Sequence, residues 1–350
     1  MNSLPDIDLN ALVDRLVALL RTPSPSGDTE AATTLLVSWL RALGLAPART
    51  RQGAVIVTLP GRVPDQPRAV TAHVDTLGAI VTQIKPNGRL VFDRIGGYPY
   101  FSVNGEYCSI RTAGGNALTG TAVLVKSSAH VYREPVREKE WKIDEMEIRL
   151  DAPTTGAAQT RELGIEVGDI IAWDPRATVT EAGYVKSRHL DDKAGVAVIL
   201  GALTSLAYSG LIPARRTTFH FSNYEEVGHG ATAGIPADVA ELVAVDMGAI
   251  GENLQGTEHA VSICAKDSGG PYDLGIRRRL VSLAQAHEIP YSVDIYPHYG
   301  SDATSALQAG GDHRVGLFGP GVDASHSFER THRDALLASS RLLLAYLLEE

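Results

Sequence analysis

Cysteine is nearly absent from this chain. Two occur in 350 residues, Cys108 and Cys264, far apart and in strand-like surroundings. There is no CxxC pair, which excludes a thiolate zinc knuckle or a thioredoxin-type redox motif, and no cysteine framework of the kind that staples small secreted domains. A reducing, cytoplasmic location is expected. Positive charge is also short. Thirty-two Lys and Arg stand against 41 Asp and Glu, a net charge of -9, which excludes the clustered basic surface that nucleic acids require. The densest basic run, Arg277-Arg278-Arg279, falls in a predicted helix and reads as a solvated face. No apolar run approaches the ~18 residues of a membrane span. The opening stretch "MNSLPDIDLNALVDRLVALL" has acids but no basic segment before its apolar part. It reads as an amphipathic helix capped by Asp6 or Asp8, not as a signal peptide. Neither nucleic acid nor membrane is expected as a partner. Internal repeats and low-complexity tracts are missing too.

What remains is ordinary globular composition, 44% hydrophobic and 21% charged, at a length that allows one large domain or two of usual size. Residues 7–43 read as two helices, divided by "TPSPSG" at 22–27 and ended by Gly44. Residues 54–60 and 68–74 read as short buried strands. From 76 to 185 short β-like runs dominate, among them "RLVFDRI", "CSIRT", "EMEIRLD" and "VGDIIAWD", with Gly, Asn, Asp and Pro between them. That texture predicts a compact all-β module. After 186 the pattern alternates: helix 193–208, strand 217–222, a short helix near 236–241, strand 241–246, strand 259–265, helix 272–287, strand 291–297, helix 302–309, strand 314–319 and helix 332–348. Strands alternating with helices predict an α/β domain, with a mostly parallel central sheet flanked by helices. The expected division is 1–75 plus 186–350 for that domain, with 76–185 inserted.

In open α/β sheets, sites gather at the carboxyl ends of strands. Here those ends run into His73-Val74-Asp75, Glu225-Glu226 and Asp246, while Asp191-Asp192 opens a helix and His326 precedes the last one. Singly, each has a plain structural reading: an Asp at a helix start is a favoured cap, a loop acid is solvated, a lone His is structural. Together they deliver acids and imidazoles, without a thiolate, to one rim. That is the donor chemistry of zinc, cobalt or manganese catalytic sites. His73 and Asp75, two apart on an extended segment, face one way, so one can bind metal while the other orients a ligand. Adjacent Glu225 and Glu226 point differently, so one can hold metal and the other act as general base. One of the two aspartates 191 and 192 suits a rigid bridging position, its neighbour supporting the turn. A glycosidase reading would need paired carboxylates without metal, and the histidines speak against it.

The motifs "TAHVDTLGAIV", "RIGG", "GIEVGDIIAWD", "HLDDKAGVA", "EEVGHGA", "VDMG", "SDATSALQAGG" and "SHSFE", in that order over nearly the whole chain, resemble the M42 metallo-aminopeptidases, the tetrahedral and glutamyl aminopeptidase-like group. The resemblance implies a zinc-exopeptidase-like fold and a PDZ-like or barrel insertion that helps dimers assemble into a hollow dodecamer. It implies two divalent metal ions per subunit. His73, Asp191 and Asp246 would hold one, and Asp191, Glu226 and His326 the other, with Asp191 bridging. Glu225 would be the general base and Asp75 would orient His73. His332, six residues beyond His326, is the alternative ligand, and the "HS" match favours His326. The activity implied is removal of N-terminal residues from short peptides.

Some positions depart from the family pattern. Tyr224 stands where a Gln is frequent, Lys193 where an Arg is frequent, "GHGA" is shorter, and "DASHSFERTH" replaces the usual surroundings of the last histidine. No ligand or base is missing, so a silent scaffold is disfavoured. The departures resemble a branch whose genes accompany synthesis of the osmolyte N-acetylglutaminylglutamine amide. They raise the alternative of a metal-dependent amidase or deacylase acting on a small, blocked, dipeptide-like metabolite.

Overall fold

The structure, a computed structural model, describes residues 3–132 and 142–350. The chain forms two compact units, Met1–Asp75 with Arg176–Glu350, and Thr76–Pro175.

The first unit begins with helices α1 (Leu9–Leu20) and α2 (Glu30–Ala42) and strands β1 (Ala48–Arg49), β2 (Val55–Leu59) and β3 (Val63–His73). Asp8 caps α1, its carboxylate accepting from the Ala11 amide at 2.9 Å. The second unit holds β4 (Gly78–Ile84), β5 (Leu90–Ile95), β6 (Tyr107–Arg111), β7 (Ala117–Leu124), α3 (Ala129–Tyr132), β8 (Met146–Leu150), α4 (Ala157–Glu162) and β9 (Ile170–Trp173). Its six strands close an antiparallel barrel in the order β4-β5-β8-β7-β6-β9. Alternating inward residues such as Phe92, Ile110, Ile148 and Trp173 fill it, Phe92 and Trp173 meeting edge to face. So the β texture of the sequence is a small barrel.

The chain returns to the first unit through β10 (Thr178–Val179), β11 (Tyr184–Ser187), α5 (Leu190–Ser209), β12 (Arg215–Ser222), β13 (Glu241–Val245), β14 (Gly248–Ala249), β15 (Val261–Asp267), β16 (Gly270–Pro271), α6 (Leu274–Ala286), β17 (Tyr291–Ile295), α7 (Asp302–Gln308), β18 (Arg314–Val322), β19 (Glu329–His332) and α8 (Arg333–Leu348). The main sheet runs β1-β2-β12-β3-β13-β18-β15-β16. Its centre, β12-β3-β13-β18, is parallel, and antiparallel pairs flank it on both sides. Helix α5 is apolar all round and buried almost throughout, packed on α1, α8 and β3. A helix without a polar face belongs inside.

Four expectations change. Residues 236–240 are a turn, not a short helix: the Val239 amide donates to Pro236, and the following residues are drawn into β13 between β3 and β18. The α/β unit resumes at Arg176 and not at 186, because β10 pairs with β11 and β11 in turn with β19. Strand β19 has no counterpart in the sequence reading. Arg279 is not on a solvated face; together with Arg68 and Arg314 it pairs with buried Glu241.

Candidate metal centre

Parallel pairing sets the rim of the site. His73 ends β3 in register with Ser222, which ends β12. Both strand ends therefore lie on one edge, and Glu225-Glu226 follow three residues later in a short 3-10 turn, Glu225–Val227. Asp246 follows β13, a parallel neighbour of β3. The start of α5 supplies Asp191, and the loop between β18 and β19 supplies His326.

The two aspartates divide the work at the helix start. Asp192 turns inward and accepts from the Gly195 amide at 3.1 Å and the His73 amide at 3.3 Å. It is the cap. That leaves the Asp191 carboxylate facing two imidazoles, with Oδ1 3.1 Å from His73 Nε2 and Oδ2 3.2 Å from His326 Nε2. Glu226 Oε2 lies 3.6 Å from His326 Nε2, and Glu225 Oε2 lies 3.7 Å from His73 Nε2. Ligand atoms of His73, Asp192 and Asp246, all buried, lie within 4.8 Å of one another.

Orienting contacts complete the arrangement. His73 Nδ1 donates to the Asp75 backbone carbonyl at 3.0 Å, with the Asp75 carboxylate 3.5 Å away. The carboxylate itself accepts from the amides of Glu225 and Glu226, both at 3.2 Å, and from Ser26 Oγ at 2.5 Å. Asp75 thus anchors the turn that presents both glutamates as well as backing His73. Glu329, 1% exposed, accepts from the amides of Asp191 and His326, each at 3.0 Å. It ties two of the converging residues together and holds His326 in a left-handed conformation (φ +60°) that few non-glycine residues adopt. Asp302 accepts from Thr71, Ser222 and the Ala231 amide, pinning the segment after the glutamates to β3 and β12.

The donors fit a divalent cation. With its Nδ1 proton given to a carbonyl, His73 points Nε2 at a carboxylate oxygen, an arrangement that needs a positive centre between them, either a proton on Nε2 or a metal ion in its place. Glu226 Oε1 is buried without a hydrogen-bond partner. Burial first, then neighbouring carboxylates, pushes Asp246 up to about 7 and Glu226 up to about 8. Burial also raises Glu225 well above the usual range, with Asp246, Asp302 and Glu226 adding to it. Burial opposes charge on His73, but its bonds to Asp191 and Asp75 outweigh this and hold it well above an ordinary imidazole. Burial works against ionised Asp191 likewise, and the His326 and His73 bonds overcome it and keep it below the usual carboxylate range. So many acids around two imidazoles is a charge pattern that cations relieve.

A cavity of about 430 Å³ opens over these groups, lined by Glu225, Glu226, Asp246, His298, Tyr299 and His326 among others. Tyr299 donates to the Met247 carbonyl at 2.8 Å, fixing one wall. All seven residues singled out in the sequence (His73, Asp75, Asp191, Glu225, Glu226, Asp246 and His326) belong to this one unit. His332 does not join them. It caps α8 and meets Asp334 and His259 instead. Glu329, Asp302 and the wall residues His298 and Tyr299 were not singled out. Glu329 and Asp302 do lie inside the quoted motifs "SHSFE" and "SDATSALQAGG".

Three comparisons bear on identity. Residues 53–342 match the family model for M42 glutamyl aminopeptidase. A Bacillus subtilis (strain 168) protein named "Putative aminopeptidase YhfE" is 46% identical over 335 residues, covering 96% of each chain. Among solved structures, aminopeptidase APDkam598 from Desulfurococcus kamchatkensis superposes with a TM-score of 0.87 at 22% identity, over 98% of this chain and 96% of its own. The Pyrococcus horikoshii TET1 peptidase, described as assembling into a tetrahedron or a large octahedral shell, gives 0.84 at 21% identity over 97% and 100%. At those identities the two structures speak for the fold. The family match over most of the chain and the near-full-length relative decide membership: the chain belongs to the M42 glutamyl aminopeptidase family, and it is a hydrolase.

Proposed function

We propose that this chain is a dinuclear, metal-dependent aminopeptidase acting on short peptides. The convergence of His73, Asp191, Glu226, Asp246 and His326 beside Glu225 carries the reading. His73, Asp191 and Asp246 would hold one ion, Asp191, Glu226 and His326 the other. Bound there, a pair of divalent ions supplies Lewis acidity and lowers the pKa of water. Glu225 is the proton carrier. It takes a proton from the attacking water on a carboxylate oxygen and returns it to the leaving amine nitrogen. Its elevated basicity suits that work, and the Asp75-anchored turn holds it in place. A cavity of about 430 Å³ takes a short substrate and not a folded protein. Two imidazoles among carboxylates suit zinc, with cobalt and manganese as alternatives. Assembly of dimers into twelve subunits is in keeping with the tetrahedron that is one of the two assemblies described for the P. horikoshii peptidase, and a cytoplasmic setting with two buried, free cysteines.

A second reading is hydrolysis of a blocked, dipeptide-like metabolite. Tyr224 stacks on His229 at 5.0 Å across the turn that carries the glutamates, an aromatic face that suits an uncharged acyl end. A turnover panel separates the two readings. Metal-loaded enzyme is offered aminoacyl amides and di- to tetrapeptides alongside their N-acetylated counterparts. Cleavage confined to the free-amine series is expected; cleavage confined to the blocked series replaces the aminopeptidase with the amidase. Glu225→Gln should lower kcat by roughly 10²–10⁴-fold with metal content unchanged. Undiminished turnover in that variant would remove Glu225 from the mechanism.

A further inference from the structure

A second group of ligand-type side chains lies in the α/β unit and shares no residue with the metal centre. His332 closes β19 and caps α8, Asp334 sits in the first turn of α8, and His259 stands just ahead of β15. Nδ1 of His259 and Nδ1 of His332 each lie 3.1 Å from Oδ2 of Asp334. The three ligand atoms fall within 4.8 Å of one another.

The far side of each ring is held. His332 Nε2 is 2.8 Å from the Ala182 carbonyl, which can only accept. The proton of the neutral ring therefore sits on Nε2, and Nδ1 presents a lone pair. Gly183 lets the turn approach: its φ is +89°, and a Cβ there would stand 2.5 Å from His332 Nε2. His259 Nε2 meets the Tyr184 hydroxyl at 3.3 Å. Imidazoles whose outer nitrogen is fixed by a carbonyl or hydroxyl are oriented as metal ligands are. The His332 lone pair receives the Asp334 amide at 3.1 Å, yet it also faces the Asp334 carboxylate at the same distance, an anion that a neutral Nδ1 cannot satisfy. A cation between these atoms resolves the conflict. The neighbouring Arg330 does not supply it, because Glu258 engages that guanidinium through both oxygens, at 2.6 and 2.8 Å.

We propose that His259, His332 and Asp334 form a further binding site for a borderline divalent cation, zinc foremost. Two imidazoles and one carboxylate select zinc, nickel or copper over calcium and magnesium, which want oxygen. The side chains of His259 and Asp334 are 48% and 57% exposed. The remaining coordination positions therefore face water, and the Asp334 amide, displaced from Nδ1, finds a solvent partner. Affinity is accordingly lower than at a buried centre. The ion clips the β19–α8 junction to the segment leading into β15.

The test compares wild-type protein with His259→Ala and Asp334→Asn, two half-exposed positions. Each is dialysed against low-micromolar free zinc, and zinc per chain is measured. Each variant is expected to retain one ion per chain fewer than wild type, with hydrolysis unchanged. A zinc-edge anomalous map of wild-type crystals should place a peak between the two Nδ1 atoms. Equal zinc content in all three proteins, or a map without that peak, overturns the proposal. So does a zinc deficit accompanied by loss of hydrolysis, because the missing ion would then belong to the metal centre.

Discussion

Glu329 shows how much of the metal centre depends on a residue that would touch no metal. One buried carboxylate accepts from the amides of Asp191 and His326, which come from segments far apart in the chain. Outer contacts of this kind are worth roughly 10–100-fold in metal affinity. Glu329→Ala should therefore weaken metal retention by about that factor, measured by competition with a chromophoric chelator. Glu329→Gln, with one oxygen left to accept, should fall between. An unchanged affinity in Glu329→Ala would reduce the residue to ordinary packing. Asp75 works similarly on the other side, where its carboxylate takes both glutamate amides. The acids and histidines were legible in the sequence because strand ends and helix starts announce themselves. Periodicity did not tell Asp191 from Asp192, since adjacent identical residues give no periodic signal; only the motif resemblance named Asp191.

At the scale of elements, two close fits govern stability. Gly195, near the start of α5, brings the helix against β13: a Cβ there would lie 2.1 Å from the Val245 carbonyl and 2.4 Å from Asp192. Backbone on one side and the capping carboxylate on the other leave nothing flexible to move. Gly195→Ala is expected to cost about 1–3 kcal/mol, read as a lower midpoint in chemical denaturation. A midpoint equal to wild type would mean the helix can slide. The second fit is Glu241 at the start of β13. It accepts from Arg279, Arg314 and the Tyr346 hydroxyl, with Arg68 3.4 Å away. Burial works against its charge, but Arg279 foremost, with Tyr346 and Arg68, lowers its pKa below the ordinary value. A lowered folded-state pKa gives stability that is present above the unfolded value of about 4.3 and is lost as pH falls through the folded one. Glu241→Gln should lose about 2 kcal/mol at neutral pH, less than the ~3–5 kcal/mol of fully buried pairs because Arg279 and Arg314 partly face water. Its acid limb should also be flatter than wild type's. Parallel loss of stability in both proteins on acidification would assign the acid sensitivity elsewhere. The sequence marked β13 itself but read the turn before it as a helix. A five-residue segment carries too few periods to separate the two, and pairing with β3 and β18 decides.

For the whole molecule, the proposed function predicts that chelation of divalent ions abolishes turnover and lowers the melting temperature, and that zinc, cobalt or manganese restores both to different extents. Full turnover in protein stripped of metal would end the metal-dependent reading. Sedimentation equilibrium should give a mass of twelve 37.3 kDa chains; a lone chain would end the assembly proposal. Among the described residues no helix is long and apolar enough to cross a membrane. By itself the sequence determined the α/β alternation, the all-β character of the inserted stretch, the family, and the residue types at each strand end. Those follow from local periodicity, turn chemistry and motif order, which are written along the chain. Only the tertiary structure decided that the stretch closes as a six-stranded barrel and that antiparallel strands flank the parallel centre. It gave the cap to Asp192 and placed Asp191 between two imidazoles, where motif order had named Asp191 without a geometric reason, and it put His332 with His259 and Asp334. Each of these depends on contacts between residues tens or hundreds of positions apart, and such contacts leave no periodic trace in the sequence that makes them.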